Sequence, residues 1–396
     1  MLLPGPGRAH LTYCTNVHPG ETWPEVRASL ARDVAGVKRR IAPSAPFGVG
    51  LRLSDTAARA LEAPAAREDL AALLHAEGLY VFTINGFPYG PFHGRPVKER
   101  VYRPDWLEDE RLAYSNRLAT LLAVLLPDGV DGTVSTVPGA FRARAGAPGA
   151  AGAMAARLVD HAAHLHALRE RTGRTIALAL EPEPCCVLET VAEALEFFET
   201  AVLAPAARAR FARATGLAPA PAEDALRRHL GLCLDVCHAA VEFEEPDDVV
   251  ARVRAAGVRI AKVQLSTGLR VDAPDDAARA ALRAFANDVY LHQVVVRGPG
   301  GLTRFLDLPE ALARAGDGGE WRIHFHVPLF RRTLGRFENT QDVLARVLAL
   351  HAAGPLATHL EVETYSWGML PPEHRGSDVV DDVARELRWV LDRLAA

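Results

Sequence analysis

Little in this sequence points to a membrane, a polyanion or a disulfide scaffold. Lys and Arg number 45 against 49 Asp and Glu, a formal net charge of -4. So balanced a chain has no bulk attraction for nucleic acid or an anionic bilayer. No apolar run approaches the roughly 20 residues that a spanning helix needs. The first residues, MLLPGPGR, have neither the charged start nor the apolar centre of a signal peptide, so a cytoplasmic location is expected. Cysteine is scarce. Cys14, Cys185, Cys186, Cys233 and Cys237 are odd in number and include no Cys-x-x-Cys pair, which argues against a disulfide framework and a thiolate zinc cluster. A Gly-x-Gly-x-x-Gly turn is missing after the first strand-like run, which argues against a dinucleotide-binding sheet.

What the chain does have is apolar residues, 49% of its 396, arranged in alternating strand-like and helix-like runs. Strands are expected at 11–17, 47–53, 79–85, 132–137, 175–181, 230–235, 259–265 and 358–363, with helices between them and a last helix over 378–394. Thr22 followed by Trp23 and Pro24 opens the first helix, as a cap with proline near the first turn. Eight such units without a domain break point to one α/β domain over 1–396, a closed (β/α)8 TIM barrel. One region exceeds that count. About 90 residues separate the seventh and eighth strands, far beyond an ordinary connection. They include two β-like runs, 292–297 and 321–327. The segment from about 267 to 330 is read as an excursion over the barrel mouth, a hairpin and an extra strand. The alternative is that Ile323 to Val327 is itself a barrel strand.

Polar residues gather at the carboxyl ends of these strands, where barrel enzymes keep their chemistry. The run from Leu230 to Ala240 (LGLCLDVCHAA) is nearly all apolar, then presents Asp235 and, three residues later in the following loop, His238. The fifth strand ends in Glu181 and Glu183, the seventh in Lys262 and Gln264, and the eighth in Glu361 and Glu363; the excursion adds His324 and His326. An isolated acid at a strand end commonly caps the next helix or pairs with arginine. Acids on three strands converging on one mouth repel one another unless a cation offsets them. Oxygen-rich ligands with an imidazole suit Mn, Mg, Zn, Fe or Co, so a divalent metal is the expected cofactor. The bland alternatives are stronger elsewhere. His161, His164 and His166 read as the solvated face of a helix, Cys233 and Cys237 as buried packing, and His18 as a loop residue. Between Asn85 and His93, Phe87, Tyr89 and Phe92 among glycines and prolines make a stiff aromatic wall for a sugar ring or aromatic metabolite, or a plug over the barrel. His93 could line the same mouth.

Taken together, Glu181, the LDVCH motif over 234–238, the acids Glu242, Glu244 and Glu245, Gln264 with Arg270 beyond it, and Glu363 resemble the xylose-isomerase-like barrel superfamily. The resemblance implies a sugar isomerase or epimerase holding one divalent metal through Glu, Asp, His and Glu from its last four strands. On this chain the ligands would be Glu181, Asp235 and Glu363. His238, Lys262 and Arg270 would then contact substrate, with Phe87 and His93 on the loop above. Glu181 and Glu363 would form the acid–base pair that moves a proton next to a carbonyl. The departure is Gln264, which stands where those epimerases have His. Gln264 would then be a weaker ligand, or His326 or His324 would replace it, as the related abasic-site endonucleases recruit a His before their last strand. The endonucleases' further histidines from the third and fourth strands have no match, and nuclease activity is not expected. More specifically, LTYCTNVHPGETW over 11–23, NGFPYGPFH over 85–93 and HFHVPL over 324–329 resemble the EboE-like barrel proteins of a bacterial operon family. That resemblance implies a small-molecule metabolite as ligand, operon-encoded partners, and a role in moving or maturing secondary metabolites, as a catalyst or as a carrier.

Overall fold

The computed structural model describes residues 1–396 except positions 6, 317, 377 and 396. Its centre is an all-parallel sheet of β1 (His10–Tyr13), β2 (Phe47–Arg52), β3 (Leu79–Asn85), β4 (Gly132–Thr136), β5 (Ile176–Leu180), β6 (Leu230–Asp235), β7 (Ile260–Leu265) and β14 (His359–Val362). These neighbour one another in the order β1-β14-β7-β6-β5-β4-β3-β2. Helices separate consecutive strands, so both faces of each strand are covered and β2, β4, β5, β6 and β14 are buried throughout. A parallel bridge between Cys14 and Gly50 joins the two ends of the sheet. Thr12 reinforces that seam: its hydroxyl donates to the Gly48 carbonyl at 2.6 Å and accepts from the Gly50 amide at 3.1 Å. Glycine is required at position 50, where a Cβ would lie 2.7 Å from the Tyr13 carbonyl oxygen and closer still to the Glu361 carboxylate.

Six antiparallel strands between β7 and β14 form a second sheet: β8 (Leu269–Asp272), β9 (Val294–Gly298), β10 (Gly301–Phe305), β11 (Glu320–Ile323), β12 (Thr333–Leu334) and β13 (Phe337–Asn339), in the order β10-β9-β11-β8-β13-β12. It has its own apolar core of Trp321, Phe285, Phe325, Phe337 and Leu269. The excursion is therefore larger than a hairpin with an extra strand and runs on to Asn339. The alternative that Ile323 to Val327 is a barrel strand is overturned: among the described residues β11 pairs with β8 and β9, and 324–327 follow it as non-strand chain. Apolar alternation looks the same in either sheet; pairing partners decide.

Two local departures shape the mouth. β1 stops at Tyr13, and Thr15–Val17 form a 3-10 turn that turns Asn16 inward. After β6 there is no loop but a short helix, Val236–Val241, with Asp235 as its cap and His238 in its first turns.

Candidate functional site

Asp235 is the cap of the short helix and belongs to two of the clusters of possible metal ligands. Its Oδ1 caps the short helix by accepting from the His238 amide at 3.0 Å, and also accepts from the Ser266 hydroxyl at 2.7 Å. Its Oδ2 is buried with no partner. Glu181, just past β5, likewise keeps a buried Oε2 with no partner, as does His326 with its Nε2. His326 is oriented by Nδ1, which lies 2.6 Å from the Glu363 carbonyl oxygen. His238 stands between these groups, with Nδ1 3.0 Å from the Pro182 carbonyl oxygen and Nε2 3.1 Å from Nε2 of His324. Ligand atoms of Glu181, Asp235 and His238 lie within 4.8 Å of one another, as do those of Asp235, Cys237 and His326 and those of His238, His324 and His326.

The electrostatics are those of an over-acidic buried site. Burial, then repulsion from Glu363 and Asp235, raises the Glu181 carboxyl well above its ordinary value. Burial and the adjacent Asp235 do the same to Glu363. Burial works against ionising Asp235 too, yet the facing His238 and His326 imidazoles and its two hydrogen bonds hold it below the usual carboxylate value. Burial pushes Glu183 up to about 8 and His238 down to about 4. A divalent cation would offset the crowded acids, and the unpartnered Glu181 Oε2, Asp235 Oδ2 and His326 Nε2 are the kinds of atom that bind one.

Gln264 stands apart from that set. Its amide nitrogen donates to Glu363 Oε2 and its oxygen accepts from the Cys233 thiol at 2.7 Å. With its nitrogen on Glu363 and its oxygen bonded by the Cys233 thiol, Gln264 holds the Glu363 carboxylate in place. Glu363 Oε1 accepts from Asn16 at 2.8 Å and Asn85 at 3.0 Å, so three amides hold this carboxylate. Neither asparagine stands out as an isolated residue, although both lie in the quoted 11–23 and 85–93 motifs. Extending the strand-end search to the first and third strands is the signal that finds them.

Other expected site residues lie elsewhere. Lys262 is two residues before Gln264 on the same inward face of β7, hence deeper in the barrel. It pairs with Glu361 and lies 3.3 Å from the Ser135 hydroxyl of β4, and it does not line the mouth. Glu361 is accordingly a partner of Lys262, and Glu363 is the carboxylate at the mouth. Arg270 is on β8, in the second sheet, within 3.3 Å of Glu320 and 3.5 Å of Asp342. Its strand left the barrel at Gly268, which takes the guanidinium away from the mouth. His93 bonds through Nε2 to the Asn16 carbonyl at 2.6 Å and supports the turn carrying Asn16. His18 is buried against Tyr13, at 2.9 Å from its hydroxyl. His161 is not on a solvated face: it is buried and bonded to Asn116 at 2.7 Å.

Phe87 does line the mouth, together with Phe92, Tyr102, Tyr290 and Tyr365. Tyr290 and Leu291 come from the insertion, for which the local sequence carries no signal. Lys98 is the single cation among the lining residues, and it is engaged with Asp307 at 2.6 Å and the Asn287 carbonyl at 3.0 Å. The wall is therefore aromatic and the floor acidic. Among the described residues no helix is long and apolar enough to cross a membrane.

No family model and no curated protein sequence matches the chain. Solved structures do. A xylose isomerase-like TIM barrel protein from Mycobacterium smegmatis in complex with magnesium aligns with TM-score 0.52 and 13% identity over 98% of this chain and 96% of that one. An L-ribulose 3-epimerase aligns with TM-score 0.48 and 14% identity over 98% and 95%. A zinc-bound IOLI protein aligns with TM-score 0.45 and 13% identity over 98% of both chains. The chain is a (β/α)8 barrel of the xylose isomerase-like fold, with a second sheet inserted before its last strand.

Proposed function

We propose that this protein is a metal-dependent isomerase- or epimerase-like enzyme acting on a small hydroxylated metabolite. The observation that carries the proposal is the cluster of buried groups around Asp235 at the carboxyl end of the barrel, whose ligand atoms lie within 4.8 Å of those of His238 in one group and of His326 in another, with Asp235 Oδ2 and His326 Nε2 unpartnered. A divalent metal bound there would polarise a substrate carbonyl or hydroxyl and make the neighbouring C–H acidic. Glu181 and Glu363 emerge from β5 and β14 and flank the strands carrying Asp235 and Gln264, so each can hold or release a proton on its own side of a bound substrate. Asn16, Asn85 and Gln264 fix the Glu363 carboxylate in place for that transfer. The aromatic wall excludes water and stacks against the apolar face of a ring. With Lys98 engaged by Asp307, the lining favours an uncharged polyol or ring-bearing metabolite over a phosphorylated one. We connect that metabolite, through the resemblance to EboE-like proteins, with maturation or traffic of secondary metabolites, the whole chain acting as one cytoplasmic domain.

A second reading, a metabolite carrier that has kept the mouth and lost turnover, is favoured by Gln264 standing where a fourth ligand is expected. Metal analysis after reconstitution, alongside Asp235→Ala, tests the first reading; wild-type protein that binds no divalent metal would sink it. Solvent deuterium exchange into the C–H next to the carbonyl of candidate ketoses and hydroxyketones separates enzyme from carrier.

A further inference from the structure

Three buried imidazoles meet at the mouth, and their partners fix which ring nitrogen of each carries the proton. His238 Nδ1 faces the Pro182 carbonyl at 3.0 Å and His326 Nδ1 faces the Glu363 carbonyl at 2.6 Å. A carbonyl only accepts, so both Nδ1 atoms donate. His324 Nδ1 lies 2.8 Å from Gln293 Oε1. That amide is held in one orientation, because its nitrogen donates to the Pro184 carbonyl at 3.2 Å and to the Tyr102 hydroxyl at 2.8 Å. His324 Nδ1 therefore donates as well.

An imidazole whose one proton sits on Nδ1 presents Nε2 as a lone pair, which is the form that binds a metal. Two of these Nε2 atoms, on His238 and His324, stand 3.1 Å apart with no hydrogen to share, and the third, on His326, has no partner. One ring nitrogen of each residue lies within 4.8 Å of the other two. Lone pairs so disposed repel one another unless a shared Lewis acid accepts them. Asp235 Oδ2, also unpartnered, belongs to the same neighbourhood through the groups it forms with His238 and with His326.

We propose that the metal of this site is bound through His238, His324, His326 and Asp235, a nitrogen-rich set, and so is of the zinc, iron(II) or cobalt class and not magnesium. The inference rests on the reading of the site as a metal centre and names which metal and which ligands. Imidazole donors suit zinc and iron, whereas magnesium prefers oxygen and retained water. Glu181 and Glu363 are then left free for proton transfer, and Glu363 is already held by three amides. Two of the four ligands come from the insertion, so the metal also fastens the second sheet to the barrel.

X-ray absorption at the zinc edge of zinc-loaded wild-type protein counts imidazole ligands directly, and three are expected. Competition titration should show zinc binding far tighter than magnesium. Zinc affinity should fall about a hundredfold or more in His324→Ala, beyond the 10–100-fold cost of losing a group that merely orients a ligand. It should change much less in Glu181→Gln. A coordination shell with one imidazole, or a Glu181→Gln protein that loses zinc while His324→Ala keeps it, overturns the nitrogen-rich site and leaves a carboxylate-centred metal enzyme standing. Wild-type protein that binds no zinc, cobalt or magnesium overturns both. The wild-type spectrum needs no variant, so misfolding of His324→Ala would not obscure the result.

Discussion

Lys262 and Glu361 form an ion pair inside the barrel in which neither side chain has any solvent exposure. Burial alone would strip the ammonium of its proton, but the adjacent carboxylate holds the lysine charged. Removing one partner leaves an uncompensated buried charge. Lys262→Met is expected to lose roughly 3–5 kcal/mol in urea unfolding, and the double variant Lys262→Met with Glu361→Leu to recover much of it. A single variant costing under about 1 kcal/mol would contradict this account of the pair.

Asp235 caps the short helix through Oδ1 and leaves Oδ2 unpartnered, so two substitutions separate the roles. Asp235→Asn keeps an oxygen for the His238 amide and removes the charge; it should fold with near-native stability and hold little metal. Asp235→Ala should lose metal as well as the roughly 0.5–2 kcal/mol of a cap. Elemental analysis and thermal melts on both proteins check this, and metal retained by Asp235→Asn would count against a ligand role.

Gln264 is tied to Glu363 and Cys233. Gln264→Leu leaves Glu363 short of one donor, so stability should drop by about 1–3 kcal/mol while metal stoichiometry stays unchanged. Loss of metal without loss of stability would restore Gln264 as a ligand.

Glu386, on the last helix (Val379–Leu394), offers a pH test away from the mouth. Its Oε1 accepts from the Leu329 amide at 3.1 Å and the Thr364 hydroxyl at 2.7 Å, while burial pushes its carboxyl up to about 8. A folded value above the unfolded one means that the folded state binds the proton more tightly. This contribution is complete below about 4.5 and is lost as pH rises toward about 8. Unfolding free energies over that window should decline more in wild type than in Glu386→Gln. Parallel profiles would dismiss the assignment.

Much of the barrel can be read from the chain because its causes are local. Runs such as Leu79–Asn85 and Leu230–Asp235 have the length and largely apolar character of strands covered on both faces, and caps and prolines mark the helices between them. Asp235, Glu181 and Glu363 are legible for the same reason: an acid ending an apolar strand has only the carboxyl end of the barrel to go to. Strand pairing is a different kind of fact. That Glu320–Ile323 joins β8 and β9 instead of the barrel depends on which edges are free once the chain has folded, and no residue within the run encodes it. The same holds for Arg270, displaced with its strand, and for Lys262, whose depth follows from closure of the barrel. The sequence by itself determined the eight strands and the acids at their ends, since periodicity and length suffice. Only the tertiary structure decided that Gln264 serves Glu363 and that His238, His324 and His326 turn their free nitrogens on one another, because those are relations between side chains up to 99 positions apart.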